Sequence, residues 1–288
     1  MRPSLKIIEC PRDAMQGIKA FIPTAQKVQY LQSLLRVGFD TIDFGSFVSP
    51  KAIPQMADSA EVLSQLDLST TQSKLLAIVA NSRGALAAAS HKEIDFLGYP
   101  FSISENFQMR NTHKTIAQSI DTLKEILEIA HANNKQLVVY ISMAFGNPYG
   151  DPWDVEIVAS WTERLHTMGV EILSLSDTIG SSTPKSISYL FSKLIPAYPH
   201  IEFGAHLHTN PLHWHSKVEA AYKAGCLRFD GAIQGFGGCP MAKDELTGNM
   251  PTEKLLSYFT TQKAFTNLNA LSFESAYNEA TKIFSVYH

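Results

Sequence analysis

The chain has 288 residues, 45% hydrophobic and 18% charged, with a formal net charge of -3 and three cysteines. This composition buries a large core and excludes a disordered chain, and the small net charge excludes a broad basic face for nucleic acid or an anionic membrane. Three cysteines without CxxC spacing exclude a disulfide framework and a cysteine-type zinc site, and fit a reducing compartment.

The N-terminal stretch "MRPSLKIIECPRD" places Lys6, Glu9 and Arg12 where a signal core needs apolar residues, and no window approaches a membrane span. The expected compartment is the cytoplasm. Strand-like runs then follow at residues 5–10, 41–46, 74–80, 94–102, 136–143, 170–176, 201–208 and 228–234. Helical patterns separate them. In residues 112–134, Ile116, Ile120, Leu123, Leu127 and Ala130 recur at helical spacing before two asparagines; in "TPKSISYLFSKLI", Thr183 is an N-cap and Pro184 the first helical residue.

Strands alternating with helices, without a long linker, predict an α/β fold: a (β/α)8 TIM barrel, with an open doubly wound sheet as the alternative. The expected organisation is one catalytic domain over residues 1–288 with a C-terminal helical extension. Barrel active sites gather at the C-terminal ends of the strands. Here those ends carry "CPRDAMQ", "DFGSFVSPK", "SISENF", "SLSDTIG", "HLHTN" and "QGFGGCPMAK".

His206 and His208 stand two apart in a strand and so point to one face, with α-carbons ~7 Å apart. Read alone, so short a motif reads as one buried and one solvated histidine. His213 and His215 follow Pro211 and belong to the opening turn of the next helix. A metal needs further oxygen or nitrogen ligands. Asp13 after strand one and Asn249 beyond strand eight supply them, since strands one, seven and eight adjoin when a barrel closes. Such a donor set suits Mg2+ or Mn2+. Arg12 is either a solvated partner of Asp13 or a fixed charge for a developing oxyanion. Cys239 lies in a glycine-rich loop, where a thiol exchanges a proton once the loop closes; Cys10 and Cys226 read as packing residues. Asp177 caps a turn, holds a ligand or steadies a histidine.

Together, "ECPRDAMQ", "SFVSPKAIPQMAD", "LSDTIGSSTP", "AHLH" and "GFGGCPMAKDELTGN" resemble the 3-hydroxy-3-methylglutaryl-CoA lyases, within the DRE-TIM metallolyases, from about residue 7 to residue 256. The second and last of these are specific; "PRD" and "HxH" alone are weak. The resemblance implies a (β/α)8 barrel, often a homodimer, that takes an acyl-CoA substrate and cleaves it to acetyl-CoA and acetoacetate. It implies Asp13, His206, His208 and Asn249 as ligands of a divalent metal, Arg12 as the essential arginine and Cys239 as proton donor. Asp177 falls on an active-site aspartate, and Lys19 on a lysine near the coenzyme A phosphates. Asp43 stands where the family carries a longer acid, and one methylene withdraws its carboxylate by ~1.5 Å, enough to weaken a catalytic contact. "TNP" at 209–211 replaces the family's usual residues, and the cysteine loop is one residue longer. These departures leave room for a different 3-hydroxyacyl-CoA or hydroxy acid, or for a catalytically reduced, ligand-binding barrel.

Overall fold

Runs rich in branched and aromatic residues form eight strands: β1 (Lys6–Glu9), β2 (Thr41–Ser46), β3 (Lys74–Ile78), β4 (Phe96–Ser102), β5 (Gln136–Ser142), β6 (Ile172–Asp177), β7 (Glu202–Leu207) and β8 (Arg228–Gly231). The computed structural model describes residues 4–238, 247–264 and 267–287. The helices are α1 (Pro11–Gln16), α2 (Thr24–Leu35), α3 (Ser59–Ser64), α4 (Ser82–Ala89), α5 (Glu105–Thr112), α6 (Ile116–Ala132), α7 (Val155–Thr167), α8 (Pro184–Ala197), α9 (Trp214–Lys223), α10 (Thr252–Thr261) and α11 (Ala270–Tyr287).

All strand pairings are parallel, and β8 returns to β1 through Lys6↔Arg228, Ile7↔Phe229, Ile8↔Asp230 and Glu9↔Gly231. The sheet is therefore a closed barrel, and the open doubly wound alternative is excluded. Side-chain alternation splits the interior in two. Ile42, Leu75, Leu97, Val139, Leu173 and Phe229 face outward into the core beneath the helices. Leu76, Ile78, Phe96, Val138, Tyr140 and Ile172 form a separate cluster inside the barrel. By the same alternation the inward positions of β2, β7 and β8 are Asp43, His206, Arg228 and Asp230. One half of the lumen is thus hydrocarbon and the other half charged.

Helix starts follow local chemistry. Thr115 opens α6 with a capping box to Gln118, and Thr183 caps α8 with Pro184 at its first position, as expected. The segment after β1 departs from the expected loop: Pro11, with φ preset for a first turn, starts the short helix α1 and carries Arg12 and Asp13 with it. The terminal helix α11 lies against α2 through an edge-on Tyr30–Phe284 pair with centroids 6.2 Å apart. Phe284 also stacks on Phe236, just beyond β8, at 4.3 Å. Among the described residues, no helix is long and apolar enough to cross a membrane.

Candidate metal and substrate site

His206 and His208 sit at the C-terminal end of β7 on one face, with their Nε2 atoms 3.3 Å apart. Each ring is held by its other nitrogen. The Nδ1 of His208 donates to the Thr247 carbonyl at 2.9 Å, and the Nδ1 of His206 lies 3.0 Å from Asp230 Oδ2. A carbonyl oxygen can only accept, so the His208 proton is on Nδ1 and its Nε2 lone pair faces the neighbouring ring. Asp13 completes a group whose donor atoms all lie within 4.8 Å of one another. Asn249 joins through its Nδ2, which donates to Asp13 Oδ2 at 2.6 Å, and through a backbone bridge to His208. Gly237 permits this convergence: at φ +98° it passes so close that a Cβ would stand 2.6 Å from Asn249 Nδ2 and 2.7 Å from the Asp13 carbonyl oxygen.

The donor set fits a divalent cation. Two imidazole nitrogens bound to one ion at ~2.1 Å each and at right angles lie ~3 Å apart, close to the separation seen here. Burial alone would raise the Asp13 carboxyl, but the charges of Arg12, His206 and His208 outweigh it and keep Asp13 below the usual carboxylate range. Burial lowers His208, and the His206 charge beside it lowers it further. His206 is raised, because its hydrogen bond and attraction to Asp230 exceed the effect of burial.

Arg12 adjoins this group. Its Nε donates to Asp43 Oδ1 and Oδ2 at 3.2 and 3.0 Å, and its Nη2 to Asp43 Oδ2 at 2.5 Å. Nη1 donates to Asp13 Oδ1 at 3.0 Å and to Gln16 Oε1 at 2.9 Å. Of the five guanidinium donors, one Nη2 hydrogen is left over. The shorter Asp43 side chain therefore still makes a forked contact. Burial pushes Asp43 up to about 6 against the pull of Arg12, while Arg12, raised chiefly by Asp43 despite its own burial, keeps its charge. A cavity of about 330 Å³ opens over these groups. Its walls include Arg12, Asp13, His206 and His208, an apolar side of Val48, Ile78, Pro100 and Phe107, and polar Ser142, Ser176 and Thr178.

Other expected residues lie elsewhere. Asp177 neither lines this cavity nor touches a histidine ring. It is buried against Lys217 Nζ at 2.6 Å and accepts from the Ser182 amide at 2.9 Å and from the Ser182 hydroxyl. Lys19 is exposed and away from the cavity walls. Cys239 lies outside the described residues. Thr209, Asn210 and Pro211 line a separate cavity of about 840 Å³. The "TNP" departure thus borders the cavity that Asn249 lines and not the one beside Arg12. His213 occupies the N-cap position of α9, and His215 packs edge-on against Tyr258 at 5.3 Å, both as expected of bystanders.

Sequence reasoning missed Asp230, Lys217 and Glu9, all buried. For Asp230 a signal existed: "RFD" puts two charged residues at alternate positions of one strand, on the face that closure turns inward. Lys217 had none, because a lysine in a helix reads as solvated until its neighbours are known.

A family model described as HMGL-like matches residues 5–279. A mitochondrial hydroxymethylglutaryl-CoA lyase of Bos taurus is 33% identical over 255 residues, 88% of this chain and 77% of that one. A hydroxymethylglutaryl-CoA lyase of Bacillus subtilis (strain 168) is 31% identical over 85% of this chain and 81% of its own length. Among solved structures, an HMG-CoA lyase from Acinetobacter baumannii in complex with coenzyme A and 3-methylmalate superposes with a TM-score of 0.90 at 28% identity, covering 98% of this chain and 92% of that chain.

Proposed function

This chain belongs to the HMGL-like family, and we propose that it is a divalent-metal-dependent lyase cleaving 3-hydroxy-3-methylglutaryl-CoA to acetyl-CoA and acetoacetate by a retro-Claisen reaction. The observation that carries the reading is the meeting of Asp13, His206 and His208 with Arg12 around one cavity, with Asn249 hydrogen-bonded to Asp13.

Asp13, His206, His208 and Asn249 would hold the ion, Mg2+ or Mn2+, with Asn249 turning its amide oxygen toward it. Bound there, the cation supplies the positive charge that makes the substrate's tertiary hydroxyl more acidic. The chain's own residues do the rest. Once the hydroxyl has passed its proton to a solvent base, the carbon-carbon bond breaks, the oxygen keeping its electron pair as the ketone of acetoacetate and the carbon pair leaving as the enolate of acetyl-CoA. Arg12, with one N–H free and its charge fixed, stabilises that enolate. Asp43 acts through Arg12, fixing the plane of the guanidinium. Cys239 delivers a proton to the enolate carbon, and the apolar wall of Val48, Ile78, Pro100 and Phe107 keeps stray water from doing so first. Asp177 acts at a distance, holding Lys217, whose Nζ also donates to the His208 carbonyl. Lys19 meets the coenzyme A phosphates. The setting we assign is a cytoplasmic homodimer, each copy one catalytic domain with α11 as its extension.

Protein stripped of metal and resupplied with Mg2+ or Mn2+ is expected to release acetoacetate from 3-hydroxy-3-methylglutaryl-CoA. Silence with both ions, alongside turnover of another 3-hydroxyacyl-CoA, overturns the substrate assignment and leaves the lyase chemistry standing.

A further inference from the structure

We propose that Asp230 is a positioning residue for metal binding, locking His206 in the tautomer that aims its Nε2 lone pair at Asp13 and His208. The proposal rests on the metal reading above and adds to it a residue that holds one of the ligands in place. Three observations carry it.

The first is geometry. Asp230 Oδ2 stands 3.0 Å from His206 Nδ1, on the side of the ring away from the His208 contact, and also accepts from Ser174 Oγ at 3.4 Å. The second is charge. An ionised carboxylate can only accept, so it requires hydrogen on Nδ1 and leaves Nε2 bare. Arg228, 1% exposed, is a buried positive charge two positions earlier on the same inward face of β8, and its Nη1 donates to Glu202 at 3.1 Å. The third is rigidity. His206 and Asp230 belong to neighbouring strands, β7 and β8, which pair through Gly204↔Arg228 and Ala205↔Phe229. The ring is thus oriented from the barrel wall, and its aim does not depend on a loop. Among the described residues no carboxylate meets the His208 ring in this way; the backbone oxygen of Thr247 does the same for it.

A second nitrogen turned the wrong way would place an N–H against the ion, so the cost falls on metal affinity and leaves acyl-CoA recognition alone. Hydrogen-bond partners of metal-ligating histidines are worth about 10- to 100-fold in affinity. Asp230→Asn keeps the shape, but its amide can turn a donor toward the ring. Titration of metal-stripped protein with Mn2+, followed by electron paramagnetic resonance of the free ion, is expected to show that variant binding about 10- to 100-fold more weakly, with Asp230→Glu recovering part of the loss.

Should Asp230→Asn fail to fold, the wild type decides. Two-bond 15N–1H spectra of histidine-labelled, metal-free protein at alkaline pH, with His206 assigned by His206→Gln, are expected to show hydrogen on Nδ1. Hydrogen on Nε2, or an Asp230→Asn variant with wild-type Mn2+ affinity, overturns the proposal. A wild type that binds no Mn2+, or a His206→Gln variant that binds it unchanged, overturns the metal reading beneath it.

Discussion

Arg12 makes the sharpest demand of any single residue. Its fork satisfies both Asp43 oxygens while Nη1 reaches Asp13 and Gln16, leaving one N–H for substrate. Lysine carries the same charge but neither the fork nor the reach to hold the four acceptor oxygens of these three residues at once. Arg12→Lys is therefore expected to lower kcat for acyl-CoA cleavage by about 10²–10³-fold, the scale of losing a donor to a developing oxyanion, with a much smaller rise in KM. A steady-state kcat close to wild type would show that the guanidinium serves only to neutralise Asp43 and Asp13. The histidine pair was legible because a strand repeats every two residues, so HxH shares a face before any fold is known. The Arg12–Asp43 pairing was not, because 31 positions separate the two and their meeting depends on α1, which the sequence reading did not expect.

At the scale of elements, the barrel top is held by one lysine. Lys217 rises from α9 and donates to Asp177 at the end of β6, to the Gly180 carbonyl in the loop beyond it, and to the His208 carbonyl beyond β7, at 2.6, 3.0 and 2.8 Å. It is 4% exposed and Asp177 1%. Removing one member of such a pair strands the other charge in a low-dielectric setting, which costs about 3–5 kcal/mol. Lys217→Met is expected to lose that much in urea denaturation, and Asp177→Asn added to it to cost far less than the sum of the two single changes. Strict additivity would mean that the ion pair contributes nothing as a pair. Helix α8 illustrates what local chemistry does reveal: Thr183, Pro184 and an amphipathic run specify its start without help from the fold. Asp177 illustrates the limit. Its place at a strand end was readable, but its partner sits 40 residues on in a helix, and only packing turns that lysine inward.

For the whole molecule, eight alternations of strand and helix announced the barrel, whereas its half-charged interior emerged only when β8 met β1 and decided which faces turned inward. Glu9 sits at that closing seam. Its carboxylate oxygens accept from the Ile233 amide at 2.9 Å and from Thr252 Oγ1 at 2.6 Å, joining β1 to the turn after β8 and to the start of α10. Complete burial pushes its carboxyl from 4.5 up to about 8, against the pull of those two hydrogen bonds. The sign of the linkage follows. With the folded value above the unfolded one, the folded state binds more protons between them, so the stabilisation is fully present below about 4.5 and is lost as pH rises through about 8. The slope is at most about 1.4 kcal/mol per pH unit for one proton. Glu9→Gln keeps an acceptor for Ile233 and offers Thr252 a donor, yet cannot titrate. Thermal unfolding of metal-free protein across this interval should therefore show the wild type losing stability with rising pH more steeply than Glu9→Gln, the shared titration of Asp43 and the histidines cancelling in the difference. Parallel profiles would mean that Glu9 is already ionised in the folded barrel and that the seam between β1 and β8 tolerates a buried charge.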